Sequence, residues 1–440
     1  MSVGGRIRRS LYWMKDYFKN QGLVKSQYDD ILYILDNPVQ GKKRINKYID
    51  DLLKHAADTT EFYRPYQGKE FSEYPVINKT ICMENYARIQ SDLYHNEKLH
   101  KMSTNGSTGT PFTIVQDRRK RSRVIAELKV FMRVCGLESH DPLLFFDALS
   151  AKGRKATWWN CWKENIWKYD VFQFEQKEIE NMIQFIHRHP GKVLLAYPSA
   201  MLCITNYMKE DNRLNNSSVS TIITAGEALH NDVRNNTKKV FGGNCKVLSR
   251  YSNQEMGILG QEKDENLGFV MNYGSYYFEC LKMDSDEPAE EGQVGRIVIT
   301  DLFNYAFPLI RYDTGDAGIM SHSGDLQFPV FLNIYGKKND ILYDYQRNPI
   351  IPDAIDDMFF GTTSIEQWQI IQEKIGEFTI YIKARELKQE EIELLKSKMK
   401  KTCGGNPNIQ VKQVDEIPSL GGGKNRFIVC KIEDNDGSIS

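Results

Sequence analysis

The sequence predicts an α/β protein: a large N-terminal domain of doubly wound sheets plus a β-rich subdomain, followed by a small α+β C-terminal domain. Three observations lead there. The chain has 440 residues, more than a single hydrophobic core usually organises. From about residue 120 onward, helix-like stretches alternate with short apolar runs, the pattern of a parallel sheet covered on both faces. Near residue 340 the pattern changes to strand, strand, helix, strand, a compact unit of about 100 residues.

Residues 5 to 65 read as helical. Ile7, Leu11, Met14 and Phe18 recur at helical spacing, and Tyr28, Ile31, Leu32, Ile34 and Leu35 continue the pattern until Asn37-Pro38 breaks it. Arg6, Arg8, Arg9, Lys15 and Lys19 flank the first stripe. Two readings follow: a helix packed on the body with solvated cations, which is favoured, or a helix lying on an acidic membrane surface.

The next elements are the apolar runs Leu143–Phe146, Val193–Ala196, Thr221–Thr224 and Lys246–Leu248. As strands separated by helices they imply a sheet whose ligands collect at the carboxyl ends of the strands. From 268 to 335, alternating strands with Gly and Asp turns suggest the β-rich subdomain. The last unit reads as strands Trp368–Ile371 and Phe378–Ala384, a helix Gln389–Thr402, a strand Ile409–Val414, and the glycine-rich Ser419-Leu-Gly-Gly-Gly-Lys424.

Composition excludes several classes. The chain is 41% hydrophobic and 26% charged, which suits a globular protein, and 58 basic residues balance 58 acidic ones, so no net field favours nucleic acid. The eight cysteines form no C-x-x-C pair, so reduced, mostly structural thiols are expected. Lys15, Asp16 and Lys19 interrupt any signal-peptide core, and the best apolar run, Val193–Ile204, contains Pro198 and falls short of the roughly 20 residues of a membrane span. A soluble, cytoplasmic protein is expected.

The strongest single motif is Ser103-Thr-Asn-Gly-Ser-Thr-Gly-Thr-Pro111. Gly106 and Gly109 allow a tight turn that presents N–H groups, and Ser103, Thr104, Ser107, Thr108 and Thr110 add hydroxyls, with Asn105 among them. Such a loop suits phosphate oxygens, yet taken alone it reads more readily as an ordinary surface turn. No Gly-Lys-Ser/Thr closes it, so it is not a Walker A loop.

Four further segments follow in order: Ala225-Gly-Glu-Ala228, Arg250-Tyr-Ser-Asn-Gln-Glu-Met-Gly257, Arg311-Tyr-Asp-Thr-Gly-Asp316, and Gly336-Lys-Lys-Asn-Asp340 ahead of the small domain that carries Lys424. Together with the serine-rich loop, this series resembles the adenylate-forming superfamily. The length and the Pro349-Ile-Ile-Pro352 segment resemble its phenylacetate-CoA ligase branch, which includes CapK-type proteins of capsule and surface polysaccharide synthesis. The resemblance runs from about residue 75 to 430.

It implies domains at 1–338 and 339–440, the second mobile, with Asn339 or Asp340 as hinge. It implies ATP, Mg2+ and coenzyme A, with acid and ATP giving acyl-AMP and pyrophosphate before the acyl group passes on. Lys424 is the implied catalytic residue, because two anions meet when a carboxylate attacks the α-phosphate. The serine-rich loop, Ala225, Gly226, Glu227, Tyr251, Asp316 and Lys337 are implied nucleotide contacts, with Asp316 on the ribose hydroxyls and Tyr251 against adenine. Glu255, ahead of Met256-Gly257 and an expected helix, resembles the magnesium-binding glutamate. Lys337 stands where the family has arginine, and Thr110 where the branch often has lysine.

Tyr197, Ser199, Ser252 and Asn253 are the expected wall of the acid pocket, and the polar pair Ser252 and Asn253 hints at a small polar acid. The Trp158-Trp159-Asn-Cys-Trp162 cluster reads as surface grip or packing in preference to substrate box. The 317–328 stretch has His322 but no cysteine, so zinc is not expected. Two other outcomes stay open: direct transfer of the acyl group to an amine or hydroxyl, such as a sugar, without coenzyme A, and a non-catalytic scaffold at a membrane or polysaccharide assembly.

Overall fold

A computed structural model describes residues 3–104, 112–147, 157–171, 176–189, 191–208, 213–265, 267–322, 328–337, 342–346, 350, 355, 358–359, 364–417 and 428–432. Three helices open the chain: α1 (Val3–Asn20), α2 (Leu23–Asp36) and α3 (Pro38–Thr59). Asn37-Pro38 separates α2 from α3, and Pro38 enters α3 in its first turn, where a missing N–H costs nothing. Short helices α4 (Lys79–Glu84) and α5 (Tyr86–Ile89) lead to the hairpin β1 (His100–Thr104) and β2 (Phe112–Gln116).

The α/β region then runs α6 (Arg118–Val134), β3 (Leu143–Asp147), α7 (Trp158–Glu164), β4 (Ile166–Asp170), α8 (Gln176–Arg188), β5 (Val193–Ala196), α9 (Pro198–Tyr207), β6 (Thr221–Ala225), α10 (Asn231–Phe241) and β7 (Lys246–Asn253). Six strands follow, β8 (Gly257–Glu262), β9 (Phe269–Met271), β10 (Tyr276–Leu281), β11 (Val294–Asp301), β12 (Tyr312–Ser321) and β13 (Val330–Lys337). The last unit holds β14 (Ile365–Lys374), β15 (Glu377–Ala384), α11 (Gln389–Cys403), β16 (Asn408–Gln413) and β17 (Ile428–Cys430).

The expected parallel strands are present. β3 pairs in parallel with β4 and β5, β5 with β6, and β6 with β7. Their residues are largely buried aliphatics such as Leu144, Val193, Ile222 and Val247, as a sheet covered on both faces requires. The β-rich region, however, is not a separate layer. β8 to β13 continue the same sheet, in the order β10-β11-β12-β13-β9-β8-β7-β6-β5-β3-β4. The changeover falls at β7, parallel to β6 on one side and antiparallel to β8 on the other. The backbone turns straight back after β7, which no sequence period distinguishes from entry into a helix.

The chain divides into two compact units. The first comprises Met1–Leu229 and Arg234–Ile334, and the second His230–Val233 and Tyr335–Ser440. In the second, β14 lies antiparallel to β15, and β16 and β17 add parallel edges in the order β16-β15-β14-β17. Its core joins Trp368, Ile370, Phe378 and Ile380 to Leu395 and Met399 of α11.

Helix α1 packs on the body, as favoured, but through a face other than its apolar stripe. The stripe Ile7, Leu11, Met14 and Phe18 does not pack on the body; those side chains are 55%, 57%, 54% and 76% exposed. The opposite face holds the helix down. Trp13 packs against the cluster of Ile31, Val130 and Phe131, Tyr12 lies under the Lys129 ammonium at 3.7 Å, and Arg9 pairs with Glu138 at 2.5 Å. Asp16 is buried and accepts from the Val24 and Lys25 amides, satisfying the open N–H groups at the start of α2.

Candidate active site

The parallel register aligns the carboxyl ends of β3, β5, β6 and β7 along one edge of the sheet. Ala196 pairs with Thr224, and Ala225 with Arg250. Asp147, Tyr197, Gly226 and Tyr251 therefore follow one another along that edge, where open α/β sheets bind their ligands.

Side chains tie this edge together. The Tyr197 hydroxyl donates to Asp147 Oδ1 at 3.2 Å. Gly226 has φ +87°, and a Cβ there would meet the Tyr197 ring at 3.2 Å, so the turn after β6 requires glycine. Glu227 accepts from both the Ser199 amide (2.9 Å) and the Ser199 hydroxyl (3.1 Å). Ser199 is 6% exposed, so this hydroxyl fixes the start of α9 to the turn after β6 and is not presented as an open wall.

Tyr251 and Asp316 meet directly. The Tyr251 hydroxyl donates to Asp316 Oδ2 at 2.7 Å. Burial, and then the Asp316 charge, raise the Tyr251 pKa well above its ordinary value. The phenol therefore stays protonated and remains a donor. Asp316 lies at the turn-like centre of β12, where Gly315 has φ +75° and the Asp316 amide donates to Thr314 Oγ1 at 3.1 Å.

Glu255 sits in the tight turn between β7 and β8; a strand, not the expected helix, follows it. The turn is braced from behind. Gln116 Nε2 donates to the Glu255 carbonyl at 3.1 Å, the Met256 amide to Asn253 Oδ1 at 2.9 Å, and the Tyr276 hydroxyl lies 2.8 Å from the Met256 carbonyl. Asn253, expected on the acid-pocket wall, thus has its side-chain oxygen engaged in the turn. Gly257 closes it at φ +133°, with Glu127 Oε2 only 2.5 Å from where a Cβ would stand. Burial is the main cause that raises the pKa values of Tyr312, Cys82 and Tyr251, and the Glu255 charge adds to it at all three, as the Asp316 charge does at Tyr312 and Tyr251. Both carboxylates therefore act on one small volume.

A single carboxylate such as Glu255 is a hard oxygen donor that suits Mg2+ when phosphates complete the shell. Among the described residues no group of three His, Cys, Asp or Glu side chains could hold a metal by itself. A cleft of about 300 Å³ lined by Asn20, Lys98, His100, Gln116, Asp117, Arg118, Arg121 and others lies at the far end of the β1–β2 hairpin; it shares Gln116 with the brace of the Glu255 turn but contains none of the sequence-expected site residues.

Of the other expected residues, Ser103 and Thr104 end β1, Lys337 ends β13, Ala225 ends β6 and Ser252 lies half-buried on β7 beside Tyr251. Asn105, Gly106, Ser107, Thr108, Gly109, Thr110, Asn339, Asp340 and Lys424 lie outside the described residues. Asp147, Gln116 and Tyr312 were not expected. Asp147 carried a signal, as the polar residue closing an apolar strand; Gln116 and Tyr312 carried none.

Residues 342–431 match the CapK C-terminal domain family. Over 98% of this chain and 96% of the relative, the sequence is 23% identical to Protein CapK of Staphylococcus aureus. Among solved structures, 2-hydroxyisobutyryl-CoA ligase in complex with its acyl-AMP has TM-score 0.69 at 17% identity, covering 89% of each chain. The amide bond synthetase McbA of Marinactinospora thermotolerans has TM-score 0.53 at 14% identity, covering 72% of this chain and 65% of that one. The chain thus resembles Protein CapK along nearly its whole length, matches the CapK C-terminal domain at residues 342–431, and shares the fold of the 2-hydroxyisobutyryl-CoA ligase.

Proposed function

We propose that this chain, built on the adenylate-forming fold, activates a small carboxylic acid with ATP and passes the acyl group to an acceptor. The observation that carries this reading is the Tyr251–Asp316 hydrogen bond at the carboxyl edge of the sheet, within electrostatic reach of Glu255. Asp316, oriented by Tyr251, accepts the ribose hydroxyls; two oxygens on one carboxylate suit two adjacent donors. Glu255 holds the Mg2+ that the triphosphate brings. The serine-rich loop donates to phosphate oxygens, and Lys337 adds a positive contact.

In the first step a carboxylate oxygen of the acid attacks the α-phosphorus, the bond from that phosphorus to the bridging oxygen breaks, and pyrophosphate leaves. Lys424 neutralises the two anions as they meet. Residues 339–440 act as the mobile domain, turning at Asn339 or Asp340. In the second step a nucleophile attacks the acyl carbonyl and AMP leaves. Coenzyme A is the proposed acceptor, on the precedent of the 2-hydroxyisobutyryl-CoA ligase. The likeness to an amide bond synthetase favours, as the second reading, direct transfer to an amine or hydroxyl, including one on a surface polysaccharide precursor. All eight cysteines are free thiols, in keeping with a cytoplasmic setting.

Pyrophosphate exchange into ATP across a panel of carboxylic acids tests the first step. Lys424→Ala is expected to lower exchange by about 100-fold or more while leaving ATP binding measurable. Undiminished exchange in that variant removes the lysine from the mechanism. ATP binding without exchange for any acid makes the chain a scaffold. Product analysis with coenzyme A or with amines then distinguishes the acceptors.

A further inference from the structure

The outward face of α1 is apolar, yet it is not the face that holds α1 to the body. Ile7, Leu11, Met14 and Phe18 fall at i, i+4, i+7 and i+11 and form one stripe, each more than half exposed, while Trp13 and Asp16 on the other side fasten the helix down. A helix anchored in this way presents its stripe rigidly.

A second exposed apolar group stands beside it. In α7, Trp158 and Trp159 are 65% and 61% exposed, and both rings stack on Trp162. The Arg8 guanidinium of α1 lies 4.9 Å from the Trp162 ring centre, joining the two helices.

The surrounding charge is mostly positive. α1 contains five basic residues and one acid, Asp16, which is buried against the start of α2. The neighbouring acids, Glu138 and Glu164, are paired with Arg9 and Lys163. Lys15 is crowded by Lys163 first and Lys19 after it, which lowers its pKa even though it is almost fully exposed. A cluster of like charges that disfavour one another is relieved by an anionic surface.

Exposed aliphatics, paired surface tryptophans and crowded cations are the combination that interfacial helices use on lipid: apolar side chains enter the acyl boundary, indole rings sit among the headgroups, and Lys and Arg meet lipid phosphates. We propose that α1 and α7 form a peripheral docking surface for an anionic lipid bilayer, with Ile7, Leu11, Met14 and Phe18 inserted and Lys15, Lys19 and Lys163 on the headgroups. The proposal is independent of the catalytic reading.

The test uses the full chain and sucrose-loaded vesicles of phosphatidylcholine, with or without about 30% phosphatidylglycerol, at low and high salt. Binding to the anionic vesicles is expected at low salt, at least about 10-fold weaker on neutral vesicles or in high salt. A blue shift of tryptophan emission and quenching by brominated acyl chains should accompany it. Leu11→Glu/Phe18→Glu should weaken binding by about 10-fold or more, and Trp158→Ala/Trp159→Ala should remove most of the quenching. All four positions are solvent-exposed, and circular dichroism verifies that the variants fold. Absence of binding to either vesicle, equal binding to both, or undiminished binding of the Glu variant overturns the proposal. Self-association that the Glu variant abolishes, without vesicle binding, assigns the face to a second copy instead.

Discussion

At the scale of single residues, the site depends on one short hydrogen bond. Tyr251 orients Asp316, and a hydrogen bond to a charged group contributes roughly 1.5–3 kcal/mol. Tyr251→Phe keeps the ring but loses the donor. ATP affinity in that variant should fall by about 10-fold, with kcat for pyrophosphate exchange changed much less. An unchanged KM for ATP would show that Asp316 needs no partner. The pH dependence follows from the direction of the shift. Because the folded pKa of Tyr251 is raised well above 10, the donor persists from pH 7 to 10 and the wild-type KM should carry no tyrosine titration in that range. Stability moves oppositely above about pH 10: the unfolded chain ionises its tyrosine while the folded chain cannot, so this contribution is lost as pH rises toward the folded pKa.

Among secondary-structure elements, α6 shows what the sequence conceals. Arg118-Arg-Lys-Arg-Ser-Arg looks like a solvated basic face, yet Lys120, Arg123 and Glu127 are completely buried. Lys120 Nζ lies 2.7 Å from Asp301 Oδ2 and 3.0 Å from the Tyr276 hydroxyl, and Arg123 reaches Asp30 at 2.8 Å. The Asp301 contact is one of charge rather than an aligned hydrogen bond. Through Tyr276 this cluster braces the turn that carries Glu255. Lys120→Met strands a buried carboxylate and should cost about 3–5 kcal/mol, read as a lower urea midpoint. The double variant Lys120→Met/Asp301→Leu should recover most of that loss, because the carboxylate facing Lys120 is removed together with its cation. A double variant as unstable as the single one would mean the pair has another role. By contrast, β3, β5, β6 and β7 were legible, since a strand buried on both faces needs the uninterrupted apolar runs that mark it. The turn at Glu255 was not, because Met256-Gly257 opens a strand as readily as a helix. The packing of α1 on the body was legible but the outward direction of its stripe was not, for a related reason: periodicity reveals that a helix has an apolar face, not where that face points.

For the whole molecule, two units with separate cores predict calorimetric unfolding that is not two-state, with a measured enthalpy exceeding the van't Hoff value. A single cooperative transition with equal enthalpies would show that the units melt as one. The strand order carries a geometric result as well. Between β7 and β12 stand β8, β9 and β13, so on a flat sheet the two strands would be separated by about 19 Å. No phenol and carboxylate together span that gap, yet theirs touch at 2.7 Å. The antiparallel half must therefore curl over like a cupped palm, and its curvature, supplied by strands far from either side chain, sets how closely the phenol and the carboxylate can approach.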